Sequence, residues 1–295
     1  MQKILLRIVI VFLLFVFAWG MIDSFITFEK DIPIVETSKQ VKYRFTIQNK
    51  TNKLIDSGKL WVHAPIKSNS FQSCTNIKPN FAFQLLTIEK GNQVLQFELS
   101  DLPPFATRVI NIEANLIYRS LPRKTGPSNI QDYLGYEKYI ESNHPDIIAL
   151  AKELKRDSSF ETARAIYDWV SSKIKYAGYI KNNRGALYAL KFKKGDCTEF
   201  MSLFIALCRA NNIAAKGVGG YTCIGNCVLE PNTYHNWAEF YENGTWLMAD
   251  CQKKVFAQDN SNYIAMQNIA EDNNSPMQGF SRFKVQGSGL KIKMN

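Results

Sequence analysis

The sequence predicts an α+β protein, with an N-terminal β-sandwich followed by a mixed α+β unit, and two observations carry this. From Val41 to Tyr118, short runs alternate apolar and polar residues with period two, as half-buried antiparallel strands do. Beyond residue 144 the apolar residues recur at helical spacing instead.

The N-terminus comes first. Lys3 and Arg7 precede an uncharged run from Ile8 to Ile22 that ends at Asp23. Such a run suits the apolar region of a signal peptide or, extended by Phe25, Ile26 and Phe28, an uncleaved anchor. Residues 1–30 are therefore read as a signal peptide or N-terminal membrane anchor. The globular part is then membrane-anchored or secreted, outside the cytoplasm, in a periplasmic or extracellular setting.

Residues 31–120 hold the runs Val41 to Ile47, Lys59 to His63, Val94 to Leu99 and Arg108 to Leu116, with turn residues at Asp56-Ser57-Gly58 and Lys90-Gly91-Asn92. This size and spacing suit an immunoglobulin-like β-sandwich. His63 alternates with Trp61 and reads as a strand-edge residue, not a ligand. Residues 121–144, rich in Pro, Gly, Ser and Asn, read as a linker.

Residues 145–295 form the second unit. Pro145 opens a helix with Ile147, Ile148, Ala151 and Leu154 on one stripe. Ser158 and Glu161 have capping-box spacing ahead of Phe160, Ala163, Tyr167, Val170 and Ile174. The chain ends in a basic hairpin, with Arg282, Lys284, Lys291 and Lys293 and no acid in the last twenty residues.

Composition narrows the function. The chain is 46% apolar and 21% charged with a formal net charge of +10. Across the three blocks 1–30, 31–120 and 121–295 the excess is spread, so no block reads as a nucleic-acid arm. No nucleotide motif, calcium loop or metal triad is visible, and no cofactor is expected. Among six cysteines, Cys223 and Cys227 are the natural local disulfide in an exported chain. A zinc site is the competing reading, but three histidines and no second ligand pair speak against it, and no metal ligand is assigned.

The chemistry-bearing residues fall at two places. Gly195-Asp196-Cys197-Thr198-Glu199 opens a helix whose apolar residues are Phe200, Leu203, Phe204, Leu207 and Cys208. A thiol at a helix N-terminus meets unpaired N–H groups and the positive end of the macrodipole, which favour its thiolate. The same N–H groups can receive an oxyanion. Gly195 permits close backbone approach there, while Cys208 reads as a small core hydrophobe. The second place is Tyr234 to Asp250, where Asn243-Gly244 signals a two-residue hairpin turn. Glu242 then pairs with Thr245, and His235 lies diagonal to Asp250 on one sheet face. A slip of one residue would part them.

Cys197, His235 and Asp250 in that order, with His235-Asn236-Trp237, the Leu207 to Ala215 helix exit, the Gly217 to Gly220 strand and Trp246 to Asp250, resemble the transglutaminase-like superfamily of papain-related folds over roughly residues 145–255. The resemblance implies a catalytic triad. Cys197 attacks an amide carbonyl and forms a thioester, His235 is general base and acid, and Asp250 orients it. Gly195 and Trp237 are expected to border the substrate. The family's usual Pro after the triad Asp is Cys251 here, which puts a second thiol near the site. A further oxyanion donor is left open among Tyr188, Trp169 and Asn183, and the loop from Cys223 to Asn232 is expected to form the site rim. The expected function is an exported cysteine amide hydrolase, protease or acyltransferase acting on a protein or peptide substrate, with the membrane as partner of the N-terminal segment and no nucleic acid. The alternative is a catalytically silent transglutaminase-like scaffold or binding protein at the cell envelope.

Overall fold

The computed structural model describes residues 34–295 apart from 128, 259, 270–275 and 278. The leader or anchor expected at residues 1–30 lies outside these. Among the described residues no helix is long and apolar enough to cross a membrane.

The first six strands are β1 (Glu36–Asn49), β2 (Lys59–His63), β3 (Gln72–Pro79), β4 (Gln84–Thr87), β5 (Gln93–Glu98) and β6 (Thr107–Arg119). Alternate residues of β1 (Val41, Tyr43, Phe45, Ile47) and β6 (Ile110, Ile112, Ala114, Leu116) are buried and meet Leu60, Val62, Leu95 and Phe97 of β2 and β5. Period two in the sequence thus becomes the inner faces of two packed sheets.

After the connecting segment come α1 (Pro145–Leu154), α2 (Ser159–Lys173), β7 (Lys175–Tyr176), α3 (Gly185–Phe192), β8 (Lys194–Gly195) and α4 (Cys197–Ala210). They are followed by β9 (Ala215–Thr222), β10 (Cys227–Val228), β11 (Tyr234–Glu242), β12 (Thr245–Asp250), β13 (Val255–Phe256), β14 (Tyr263–Asn268), β15 (Phe283–Gln286) and β16 (Leu290–Met294). Pro145 sits at the start of α1, and the Ser158 hydroxyl accepts from the Glu161 N–H to cap α2. Helix α3 has only eight residues, too little periodicity to be read from sequence, and its first N–H groups are capped from outside it by Asn183 and Glu141.

The second unit is a sheet in the order β13-β12-β11-β9-β14 with α4 packed on one face. Helix α4 is buried on every side, from Glu199 through Arg209. Phe204 meets Phe240 of β11, with ring centroids 6.2 Å apart, and Met201 reaches Gly217 of β9. Its one buried cation, Arg209, is paired with Glu137 at 2.9 Å and donates to the Gly135 and Ala215 carbonyls.

The two parts share a core. The sandwich sheets run β10-β1-β6-β3, with β16 also on β1, and β15-β2-β5-β4. The basic C-terminal strands therefore pair with the N-terminal sheets, β16 on Phe45–Asn49 and β15 on Lys59–Val62. Tyr221, Leu229, Ile264 and Met266 pack into the sandwich core. Residues 35–295 form one compact unit. Strand β14 is an edge whose backbone is answered from the sandwich. The Gln72 amide donates to the Ala265 carbonyl at 3.0 Å and accepts from its N–H at 2.9 Å. Asn92 does the same for Asn268, at 2.8 and 2.7 Å. Side-chain amides thus satisfy an edge that would otherwise be open to strand addition.

His63, expected at a strand edge, is buried instead, because β15 arrives from the far end of the chain and covers that side of β2. Burial pushes its imidazole down to about 4, while the Gln93 and Ser281 carbonyls pull weakly the other way. The unfolded chain takes up this proton near 6.5, so the stability His63 contributes is complete above that pH. It falls as pH drops towards about 4, by about 3 kcal/mol in total. Urea unfolding between about pH 7 and about pH 4 should show this loss in the native chain and a shallower one in His63→Gln.

Candidate active site

The site begins with how α4 starts. Asp196 is its N-cap, accepting from the Thr198 N–H at 2.8 Å, and Glu199 reaches back to the Asp196 N–H at 2.9 Å. This reciprocal capping box fixes the first turn and with it Cys197. Both carboxylates have second tasks. Asp196 Oδ2 accepts from the Ile180 N–H at 2.9 Å and Glu199 Oε1 from the Arg184 N–H at 3.0 Å, so the segment before α3 is tied to both sides of the cysteine.

Gly195 belongs to this packing. A Cβ there would stand 2.4 Å from Glu199 Cβ, so the glycine makes room for the cap. It is buried and pairs with Tyr176, not with open space. Its position corrects the expectation that it borders the substrate.

Asn243 and Gly244 both adopt positive φ (48° and 87°), the turn whose twist matches a tight hairpin. Glu242 pairs with Thr245 and Ala238 with Ala249, after which the ladder ends. His235 and Asp250 lie just beyond, on the face away from α4. His235 Nε2 meets Asp250 Oδ2 at 2.6 Å, with both side chains almost fully buried. An ionised carboxylate only accepts, so the proton sits on Nε2 and Nδ1 is left as an acceptor.

Asp250 is fully engaged. Its Oδ2 also accepts from the Tyr263 hydroxyl at 2.8 Å, and its Oδ1 accepts from the Gln252 and Lys253 N–H groups at 3.1 and 3.0 Å. Tyr263, on β14, was not legible in the sequence. Burial and the Asp250 charge push its phenol far above the ordinary range, so it remains a donor throughout.

Cys197 is half-buried. Asn236 Nδ2 donates to Thr198 Oγ1 at 3.0 Å, joining β11 to the first turn of α4 beside the sulfur. Tyr234, one step along the same face, accepts from Gln267 Nε2 at 3.1 Å. These side chains close over Gly219, where a Cβ would fall among them, and at Gly220 a Cβ would lie 1.9 Å from the Ile264 carbonyl. The glycine pair therefore lets β9 pass beneath the site.

The thiol's electrostatics differ from the expectation drawn from the helix end alone. Burial, and next the Asp196 charge, push Cys197 up to about 11, against the lowering from the Asn236 and Thr198 hydrogen bonds. A capping carboxylate offsets the dipole it caps.

Trp237 is also corrected. It is 1% exposed and packs among Val218, Met248 and Tyr263, its ring 6.4 Å from that of His235 with 24° between planes. It supports the imidazole from inside and is out of a substrate's reach. Cys251 is buried in the α4 core with Cys208 as an electrostatic neighbour, and burial raises both thiols. Cys223 and Cys227 form a disulfide. It is tied to the sandwich through β10 pairing with Val41 and Lys42. Of the three residues left open as oxyanion donors, Trp169 lies under Lys193 and Tyr188 under Arg184. Asn183 Nδ2 is buried without a partner among the described residues. No cluster of three or more potential metal ligands occurs among the described residues.

Known proteins give a consistent picture of the fold. Residues 148–251 match the transglutaminase-like superfamily. No curated protein matches the sequence. Among solved structures, a "Putative Cysteine Protease" from Cytophaga hutchinsonii aligns over 89% of this chain and 92% of its own, with a TM-score of 0.59 and 16% identity. The periplasmic domain of TgpA from Pseudomonas aeruginosa, bound to ethylmercury, aligns over 74% of this chain and 91% of its own, with a TM-score of 0.40 and 13% identity.

Replacing Tyr263 by Phe removes one donor from a buried carboxylate. Urea unfolding should show a loss of about 1.5–3 kcal/mol, the range for a hydrogen bond to a charged group. An unchanged midpoint would mean that the Tyr263 hydroxyl does not hold Asp250.

Proposed function

We propose that the transglutaminase-like core domain of residues 148–251 is a working cysteine enzyme, with Cys197 as nucleophile, His235 as general base and acid, and Asp250 as the group that orients His235. The observation that carries this is the buried 2.6 Å contact between His235 Nε2 and Asp250, made on the strand whose next residue, Asn236, donates its side-chain amide to Thr198 beside Cys197. That contact commits one ring nitrogen to the carboxylate and leaves Nδ1 to take the thiol proton.

The reaction follows from these placements. The Cys197 proton passes to His235 Nδ1, and the sulfur attacks the carbonyl carbon of a peptide or carboxamide. The developing oxyanion is met by the Cys197 backbone N–H at the start of α4, since Asp196 already takes up the Thr198 N–H. As the C–N bond breaks, the imidazolium returns its proton to the leaving nitrogen and a thioester remains. Water, deprotonated by His235, then releases an acid, or an amine releases a new amide. Hydrolysis and acyl transfer share every step up to the acceptor.

The Cys223–Cys227 disulfide and the apolar run after Lys3 and Arg7 support an extracytoplasmic location and attachment or export through residues 1–30. The division at residues 31–120, 121–144 and 145–295 belongs to the same proposal as a division of roles within one compact unit, whose last strands complete the sandwich sheets. One observation favours a silent scaffold instead: burial and the Asp196 charge hold the Cys197 thiol up at about 11.

The test is the pH dependence of Cys197 alkylation by iodoacetamide, followed by mass spectrometry in the full chain and in His235→Ala. An assembled pair gives a rate that levels off well below about 8.5, the free-thiol value, and drops at least about tenfold in the variant near neutral pH. A rate that climbs throughout towards about pH 11 and ignores His235 would identify a scaffold.

A further inference from the structure

The 27 residues from Trp169 to Gly195 contain seven lysines and arginines and no aspartate or glutamate. Charge averaged over long blocks conceals this run, which begins in α2 and ends two residues before Cys197. All seven cations are exposed, and none forms an ion pair with a described carboxylate.

Their arrangement is electrostatically costly. Lys175 and Lys194 are direct partners in the β7–β8 ladder, and like charges opposite one another destabilise a strand pair. Lys193 lies 4.4 Å over the Trp169 ring, with Lys173 near enough to oppose its charge. Exposed aromatic rings stand between the cations: Tyr176 is 59% exposed, Tyr179 83% and Phe192 61%. Repulsion of this kind is relieved when an anion lies across it.

The strip is also built into the site. Ala177 N–H donates to the Gly195 carbonyl at 2.9 Å, and the Ile180 and Arg184 N–H groups donate to Asp196 and Glu199. Anything lying on the strip is thereby held at a fixed offset from Cys197.

We propose that this strip is the docking surface for an acidic polypeptide, one with aspartate or glutamate and apolar residues beside the amide that Cys197 attacks. The inference rests on the triad reading above, and it adds the substrate's chemical class. A polypeptide suits the surface better than an anionic bilayer does. An extended chain on the strip brings one of its own carbonyls to the sulfur, whereas a membrane would cover the thiol.

The test uses the full chain and two fluorescein-labelled dodecapeptides with a central Gln and flanking Tyr, one with Glu and one with Ser at the remaining positions. Fluorescence anisotropy should show the Glu peptide binding at least about tenfold tighter at low ionic strength, with the difference shrinking as salt rises. The triple variant Lys175→Gln, Lys181→Gln, Lys194→Gln should bring the Glu peptide to the level of the Ser peptide. Lys284→Gln, Lys291→Gln, Lys293→Gln, which removes as much charge from the far end of the chain, should leave it unchanged. Equal binding of the two peptides, or equal loss in both variants, overturns the proposal. So does capture by phosphatidylglycerol vesicles that depends on the strip while the peptides are not distinguished. The triad reading is read separately, from chloroacetyl forms of the same peptides. Acid-dependent binding without labelling of Cys197 keeps the docking surface and overturns the triad.

Discussion

Helix α4 is surrounded by protein on every side, and a helix buried in this way must find partners inside the fold for the N–H groups of its first turn. Asp196 and Glu199 supply them, and Glu199 fits only because Gly195 has no side chain. The same two carboxylates take up the Ile180 and Arg184 N–H groups, so the cap also fixes the chain leading into α3. Cys197 is therefore held by the solution to a burial problem, and its neighbours follow from it.

That solution has an electrostatic consequence. The groups that make the helix end stable place negative charge beside the sulfur, and burial raises the thiol further. A helix dipole cannot by itself produce a thiolate here. In the proposed reaction the thiol proton passes to His235, which would make the hairpin register that sets the His235–Asp250 contact as important to the chemistry as the helix. Asp250 in turn depends on Tyr263, and Tyr263 sits on β14.

Strand β14 connects the sandwich to this chain of dependence. Gln72 and Asn92 answer its backbone, and the Tyr118 hydroxyl donates to the Tyr263 carbonyl at 2.9 Å. The sandwich is thus part of the support for the Asp250 carboxylate, three hydrogen bonds removed from the imidazole. The C-terminal strands close the sandwich, which is why His63 is interior and why β1 and β16, the first and last strands of the described residues, meet in one sheet.

Much of this was legible from residues near one another in sequence. Alternation in residues 41–118, the Ser158 cap, the Cys197 helix and the Asn243-Gly244 turn are local signals, and the turn alone determined that His235 and Asp250 share a face. What lay beyond the sequence involves partners far apart along it. Trp237 reads like a substrate contact, yet Ile66 and Tyr263 bury it. Tyr263 joins Asp250, Gln72 caps β14 across 193 residues, and β15 covers β2. The sequence by itself determined which groups stand at the helix end and on the hairpin, because spacing and turn chemistry are short-range. Only the tertiary structure decided which of them are exposed and what their charges feel, because burial and desolvation are set by whatever the rest of the chain packs against them.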